Sequence, residues 1–201
     1  MADLVDGVRV FKITTPDGSP CHGGNPEFRW PLPTGDAPGD WIAVKGRLAF
    51  CDHPGLHVTK SPARQLNDQG GDPSELVCWE AEIDAKEKYL GGEGDEHKIS
   101  ARRVRLLRRV EWSDVGVYSE GLHDLYDNAQ ATLYDNAQAR LSDNAQATLS
   151  GNAQATLYDN AQATSDYYHS ASAVVALEHM AAHVDRRGGK LVLRAAEGAV
   201  S

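Results

Sequence analysis

An eight-residue unit repeats without a gap from Leu125 to Thr164, and it constrains the fold more than any other feature of the sequence. Its copies read LYDNAQAT, LYDNAQAR, LSDNAQAT, LSGNAQAT and LYDNAQAT. A short unit at a constant period is typical of stacked structural units that bury one face against their neighbours. The sequence therefore predicts a repeat architecture in the C-terminal half. Such architectures more often bind partners or form structural assemblies than catalyse reactions.

Each octad is predicted to form one short strand and one corner. In the segment 129–134, alternation points the alanines and the leucine inward and Gln130, Thr132 and Tyr134 outward, and the following Asp-Asn supplies the corner. A helix fits poorly, because an octad overshoots two helical turns by about 80° and its apolar positions would spiral. Two octads are predicted to form one coil of a flattened β-solenoid, with coils about 4.8 Å apart.

The ends of the array depart from the repeat, as the caps of a solenoid do. Residues 117–120 resemble the start of an octad, so one imperfect octad is expected before the regular ones. Residues 172–187 fit either two degenerate octads or a helix, and strand is slightly preferred because the array needs closing. A last strand is predicted over residues 190–194.

A shift in composition near Ser113 and Asp114 divides the chain into a domain over residues 1–114 and a repeat domain over 115–201. The first part alternates in the period-2 manner of strands. A short helix is predicted within residues 59–67, with Ser61 as its cap and Pro62 at its first position. The predicted fold class is mainly β, a small α+β N-terminal domain followed by a short β-solenoid. Strands are expected at residues 8–13, 41–44, 56–59, 76–83 and 104–110.

Charge and composition bound the function classes. The formal net charge of −9 and the pI near 5.3 oppose the positive field that nucleic acid binding requires, so nucleic acid is an unlikely partner. No window approaches the roughly 18 consecutive apolar residues of a membrane span, and the first residues lack the apolar core of a signal peptide. We therefore expect a cytoplasmic protein.

The N-terminal part resembles an uncharacterised domain of bacteriophage and actinobacterial proteins, which often carry octad repeats after it. The motifs are CHGG, FRWPLP, CDHPGLHVT, CWEAEI and ISARRVRLLRRVEW, with VDRRGGKLVL near the end of the chain. The resemblance implies the two-part layout and no particular activity. The positions that match the domain are Cys21, Gly23, Trp30, Cys51, Gly55, Leu56, His57 and Glu80.

A more distant resemblance is to small ADP-ribosyltransferase-like folds. It is carried by GLHVTKSPARQL, a later strand with Glu80 and Glu82, and then RRVRLLRRV. It implies that His57 holds NAD and that Glu80 or Glu82 stabilises an oxocarbenium-like state. Such enzymes carry an Arg or His with Gly on the first strand, whereas His22 and Gly23 here follow a turn-like segment. The alternative, which we favour, is a structural strand histidine and a solvated glutamate face.

Metal binding is the other chemical hypothesis for the N-terminal domain. Cys21, Cys51 and Cys78 with His53 offer three thiolates and an imidazole to a tetrahedral zinc. No C-x-x-C pair is present, and cysteine is among the most commonly buried residue types, so core cysteines are the favoured interpretation. Three cysteines cannot all pair within one chain, which opposes a disulfide scaffold.

The outward positions of the octads are predicted to form an interaction surface, because aromatic and amide groups suit protein or glycan contacts. We expect a non-enzymatic structural or interaction protein without a cofactor, whose solenoid is a rigid stalk or a surface for self-association or a protein partner. The alternative is an NAD-consuming enzyme with the repeats as a targeting module. The surface residues are Tyr126, Thr132, Tyr134, Arg140, Thr148, Thr156, Tyr158 and Thr164.

Overall fold

The computed structural model describes residues 9–23, 25–48, 55–69, 71–84, 88–91, 95–165, 175–177 and 182–184. The chain is mainly β, with an N-terminal α+β region followed by a β-solenoid of about three turns, which confirms the predicted fold class. It divides into two compact units, and the division lies between Glu111 and Trp112.

The N-terminal unit is built on a seven-stranded antiparallel sheet. Its strands are β1 (Val10–Thr14), β2 (Ile42–Ala43), β3 (Leu56–Thr59), β4 (Val77–Ile83), β5 (Lys88–Leu90), β6 (Lys98–Ala101) and β7 (Arg103–Val110). Across the sheet the strand order is β2-β7-β4-β1-β3-β6-β5. One helix, α1 (Pro62–Gln69), follows β3 and contacts β1.

One face of this sheet carries a cluster of buried apolar side chains. The segment 28–40 before β2 contains Pro31, Pro33 and Pro38, and we call it the proline-rich segment. Its side chains Phe28, Trp30 and Leu32 pack against the buried apolar side chains of the strands. The indole N–H of Trp79 donates to the Thr14 hydroxyl at 2.9 Å, so the polar atom of this buried ring is paired. The proline-rich segment is therefore an ordered cover for the core.

The predicted helix is confirmed with its start. The Ser61 hydroxyl accepts from the Arg64 amide at 3.4 Å, and the Gln65 amide donates to the Ser61 carbonyl at 3.0 Å. Ser61 thus precedes the first turn as a cap, and Pro62 occupies the position at which a missing amide hydrogen costs nothing.

Strand β4 differs from the prediction of one buried and one solvated face. It lies between β1 and β7 in the sheet, and the alternate positions Cys78 and Glu80 are buried as well as the apolar set. The register with β7 shifts between Glu80 and Ala81. The interpretation of Glu80 as part of a solvated face is therefore wrong, because the Arg9 and Arg108 side chains cover its carboxylate with ion pairs.

The solenoid consists of two parallel sheets whose strands alternate along the chain, and a 3-10 turn at Trp112–Val115 precedes it. The strands are β8 (Val117–Tyr118), β9 (Leu122–Leu125), β10 (Gln130–Leu133), β11 (Gln138–Leu141), β12 (Gln146–Leu149), β13 (Gln154–Leu157), β14 (Gln162–Ser165), β15 (Val175–Leu177) and β16 (Ala182–Val184). One sheet has the order β16-β14-β12-β10-β8 and the other β15-β13-β11-β9. Each strand of the regular repeats therefore pairs with the strand two octads away.

The solenoid core is made of leucines and alanines that repeat at fixed octad positions. Within the β9-β11-β13 sheet, Leu141 is in register with Leu125 on one side and Leu157 on the other. The two alanines of each complete octad from Leu133 onward are buried together with its leucine. Small alanines allow two sheets to approach closely, and the leucine stacks fill the remaining space.

Each corner requires a residue with a left-handed backbone conformation at the third position of the octad. Asp127, Asp135, Asp143 and Asp159 have φ between 50° and 58°, and Gly151 has φ 66° at the same position. Aspartate and glycine are among the residues that tolerate this region. The fourth octad, LSGNAQAT, therefore departs from the others by a residue that keeps the corner geometry.

Replacing Asp143 by valine is expected to lower the free energy of unfolding by about 2 kcal/mol, because a β-branched residue is strained at positive φ. The change also removes the Asp143 carboxylate, which accepts from the Asp127 amide of the preceding coil at 3.3 Å. The control is Asp143→Gly, which should stay within about 0.5 kcal/mol of wild type, since glycine occupies the equivalent corner at Gly151. Urea denaturation measures both, and equal losses would contradict the strain argument.

Two details of the array differ from the octad alternation, and one ambiguity is resolved. Thr132 and Tyr134, predicted to point outward, are buried. Both lie on the rung beside the two-residue strand β8, where the preceding coil is irregular and alternation no longer sets burial. Residues 175–177 and 182–184 extend the two sheets as strands, which confirms strand over helix there. The strand predicted over 190–194 lies outside the described residues.

Candidate functional site

His57 and Glu80, the residues with predicted NAD-binding and catalytic roles, share one face of the N-terminal sheet. Glu80 is in register with Phe11, and Phe11 with Thr59, which is two residues from His57 on the same strand. Strand β1 lies between them, so standard strand spacing and rise put their backbones about 12 Å apart. The two side chains stand near one another on the sheet without being direct neighbours.

The two glutamates are engaged in ion pairs. Glu80 accepts from Arg9 at 3.1 Å and from Arg108 at 2.7 Å, while its own side chain is 11% exposed. Glu82 contacts the Arg105 guanidinium at 2.6 Å. A carboxylate held between two guanidinium groups has its charge largely compensated, which makes Glu80 a structural anchor between β1, β4 and β7.

His22 and Gly23, the other predicted NAD contacts, lie in the exposed loop that follows β1. Gly23 has φ 60°, a left-handed value that permits a tight turn. The neighbouring Cys21 thiol contacts the Ile13 carbonyl at 3.3 Å and the Gln69 side chain at 3.7 Å. The loop is thereby tied to β1 and to α1.

The predicted zinc ligands are only partly within the described residues. Cys51 and His53 lie outside them. Cys78 is buried, and burial raises the pKa of its thiol to about 12, which disfavours the thiolate that zinc binds. Among the residues that the structure describes, no three His, Cys, Asp or Glu side chains are placed to hold a metal ion.

The structure reveals a histidine that the sequence did not single out. The His97 side chain is 4% exposed, and Nε2 lies 3.3 Å from an Asp68 oxygen of α1. This contact does not have the geometry of a hydrogen bond, and neither ring nitrogen has a hydrogen-bond partner among the described residues. Lys98 contacts both Asp68 at 3.3 Å and Asp95 at 2.7 Å, so it competes for the same carboxylate. No sequence spacing signals this cluster, because it joins α1 to the start of β6.

Acidification is expected to destabilise the N-terminal unit through His97. Burial lowers the pKa of His97 below its usual 6.5, partly offset by the attraction of Asp68, while Arg64 and Lys98 lower it further. The unfolded chain therefore takes up this proton first, and stability is lost as the pH falls below about 6.5. His97→Gln should show a smaller loss of Tm between about pH 7.5 and pH 5.5 than wild type.

The exposed His22 provides the control for that measurement, since His22→Gln should keep the wild-type pH dependence. Thermal melts followed by circular dichroism at matched ionic strength measure all three proteins. Parallel pH profiles for His97→Gln and wild type would contradict a role for this imidazole.

The predicted interaction surface divides between the two solenoid sheets. Thr132, Thr148 and Thr164 form one uninterrupted column, because their strands β10, β12 and β14 are neighbours. Arg140 belongs to the other sheet, where it is in register with Asp124 and Thr156. Arg140 therefore does not interrupt the threonine column, because consecutive octads contribute to opposite sheets, as two octads per coil predict.

The tyrosines of the predicted surface differ in exposure according to the corner they occupy. Tyr126 is 57% exposed and Tyr158 is half-buried, and both follow strands of the β9-β11-β13 sheet. Tyr134 follows a strand of the other sheet and is buried. The accessible aromatic groups of the described repeats thus lie beside the β9-β11-β13 sheet.

These contacts limit the chemical groups that the described residues can offer to a ligand or a partner. In the N-terminal unit the strand glutamates are in internal ion pairs, and on the solenoid the outward positions present amides, hydroxyls and one charge pair. No helix in the described part of the chain has the length and apolar character needed to cross a membrane. Compared with protein-family models, curated proteins and solved structures, the chain matches none of them.

Proposed function

We propose that this chain is a non-enzymatic structural or interaction protein whose solenoid associates with copies of itself or with another protein. The observation that carries the proposal is the in-register stacking of nearly identical strands, which aligns the exposed glutamines of the octads into straight columns. A regular column offers the same contact on every rung, so modest contacts add up along the stack. This arrangement suits binding better than it suits a localised reaction.

The edges of the solenoid support the same proposal. Strand β9 is the first strand of its sheet in the described residues, and its Leu122 side chain is 52% exposed. A parallel strand at a sheet edge is a template for pairing with another chain. Its apolar residue adds contact area in water.

A light-scattering measurement of molar mass over concentrations from about 10 µM to 1 mM tests self-association directly, followed by negative-stain imaging of any large species. We expect a molar mass that rises with concentration toward discrete oligomers or filaments. A protein that stays monomeric over the whole range would overturn self-association, and pull-down with a defined candidate protein would then test the other arm.

The second candidate function is an ADP-ribosyltransferase-like, NAD-consuming activity with the repeats as a targeting module. The observation in its favour is that His57 and Glu80 share one sheet face, while the compensated charge of Glu80 weighs against it. Calorimetric titration with NAD tests it: binding that is lost in His57→Ala would support this function, and no binding to wild type would remove it.

The origin of the N-terminal unit is a further part of the proposal. Its motif order supports membership of the phage and actinobacterial domain that it resembles, with the protein located in the host cytoplasm or on a phage particle. Mass spectrometry of purified virions and of host cytosol distinguishes the two locations. Detection in neither fraction would count against both.

A further inference from the structure

The outer face of the β9-β11-β13 sheet carries two columns of side chains, and we call it the amide face. The first column contains Leu122, Gln138 and Gln154, and the second contains Asp124, Arg140 and Thr156. These residues line a shallow groove, with Asp124 at its side. Neighbouring rungs are about 4.8 Å apart and the two columns about 7 Å apart, from standard strand geometry.

The charges of the amide face are opposite and adjacent. Asp124 and Arg140 lie on neighbouring rungs of one column, with 3.8 Å between the carboxylate and guanidinium atoms. Their side chains are 45% and 56% exposed, and a pair so open to solvent gains little from its own contact. Both groups therefore keep most of their capacity for a partner that excludes water.

We infer that two copies of this chain pair through the amide face about a two-fold axis that runs parallel to the strands, between β9 and β11. Such an axis places β9 of one copy opposite β11 of the other. Each column of side chains then lies opposite the same column of the second copy. Asp124 of each copy then faces Arg140 of the other, which gives two reciprocal ion pairs, and Leu122 of each faces Gln138 of the other. The inference rests on the proposed function and names the surface that would carry it.

A second copy fits this face better than an unrelated protein, because the face is complementary to itself. An isologous contact requires each group to find its complement at the symmetry-related position. The column with one negative and one positive residue on successive rungs meets this condition. In this arrangement Gln138 faces the apolar Leu122, so the two reciprocal ion pairs carry the complementarity.

The size of the face sets the strength to expect. With the axis between β9 and β11, two rungs and two columns face one another and cover on the order of 130 Å² per copy, well below the roughly 800 Å² of a stable partner surface. The pairing should therefore be weak, with a dissociation constant on the order of 0.1–1 mM. It should also weaken several-fold between about 0.05 and 0.5 M salt, because exposed charges are screened.

Charge reversal with mixing tests the pairing. Asp124→Arg and Arg140→Asp are each expected to weaken self-association at least about tenfold, because like charges face one another in their homodimers. An equimolar mixture of the two should recover wild-type association, since one variant then supplies only positive and the other only negative residues. The double variant, Asp124→Arg with Arg140→Asp, should recover it too. Sedimentation equilibrium at low salt measures all five samples.

The control is Arg109→Glu, which reverses a charge in a similarly exposed pair of the N-terminal unit and should leave association unchanged. If wild type associates but neither single variant weakens it, the amide face is overturned and self-association stands. If both weaken it and the mixture does not recover, the two-fold pairing is overturned. A monomeric wild type removes this inference and the self-association proposal together.

Discussion

Leu141→Ala is expected to lower the free energy of unfolding of the solenoid by about 3 kcal/mol, in the range of other leucine deletions from closed cores. Leu141 is fully buried and is stacked between Leu125 and Leu157 of the neighbouring coils. Neither neighbour can move into the space, because each is held in register by its own strand. A cavity therefore remains, and its cost adds to the lost transfer free energy.

The exposed Leu122 provides a matched control for Leu141→Ala. It lies on β9 of the same sheet, and its truncation to alanine should change stability by less than about 0.5 kcal/mol. Urea denaturation followed by far-ultraviolet circular dichroism gives both values, with hydrogen exchange locating the loss in the octads. Similar losses for the two variants would show that the leucine stack is not the core of the array.

The strand and corner assignment of the solenoid followed from the octad alone because period and composition agree. Alternation places leucine and alanine on one face, and aspartate at the third position tolerates the left-handed corner. The prediction of two octads per coil also implies that consecutive octads belong to opposite sheets, and the strand pairing confirms this. The separation of Arg140 from the threonine column, and with it the amide face, depends on that alternation.

Local irregularity explains where the solenoid prediction was wrong. Thr132 and Tyr134 occupy outward positions of a regular octad, yet both are buried beside the short strand β8. A repeat pattern assumes that each coil has an identical neighbour on both sides. At the first rung this assumption does not hold, so the burial of a residue there depends on tertiary packing.

In the N-terminal unit, the strands in which apolar and polar residues alternate were predicted, whereas the more polar strands β5 and β6 were not. Strands β5 and β6 contain lysine, serine and tyrosine among few apolar residues, so no period-2 apolar signal marks them. The burial of Glu80 was missed for a related reason. Its environment is set by Arg9, which directly precedes β1, and by Arg108 of β7, and only the pairing of β1 and β7 with β4 brings the three residues together.

Gly39→Ala is expected to cost the N-terminal unit about 3 kcal/mol. Gly39 is buried, and its amide donates to the Leu106 carbonyl of β7 at 2.8 Å, which fixes the proline-rich segment against the sheet. A β-carbon at this position would overlap the carbonyl oxygen of Pro31, a backbone atom that cannot rotate away. The segment must shift, and the packing of Trp30 on the core shifts with it.

A substitution at Gly35, in the same segment, is the control that distinguishes the effect of steric overlap from the effect of a strained backbone conformation. It has φ 60° and no atom within 4 Å of an added β-carbon, so Gly35→Ala should cost only about 1 kcal/mol, from the strain of positive φ. Urea denaturation followed by tryptophan fluorescence compares the two variants with wild type. A Gly39→Ala protein as stable as Gly35→Ala would mean that the proline-rich segment can yield at Pro31, and its role as a fixed cover for the core would have to be abandoned.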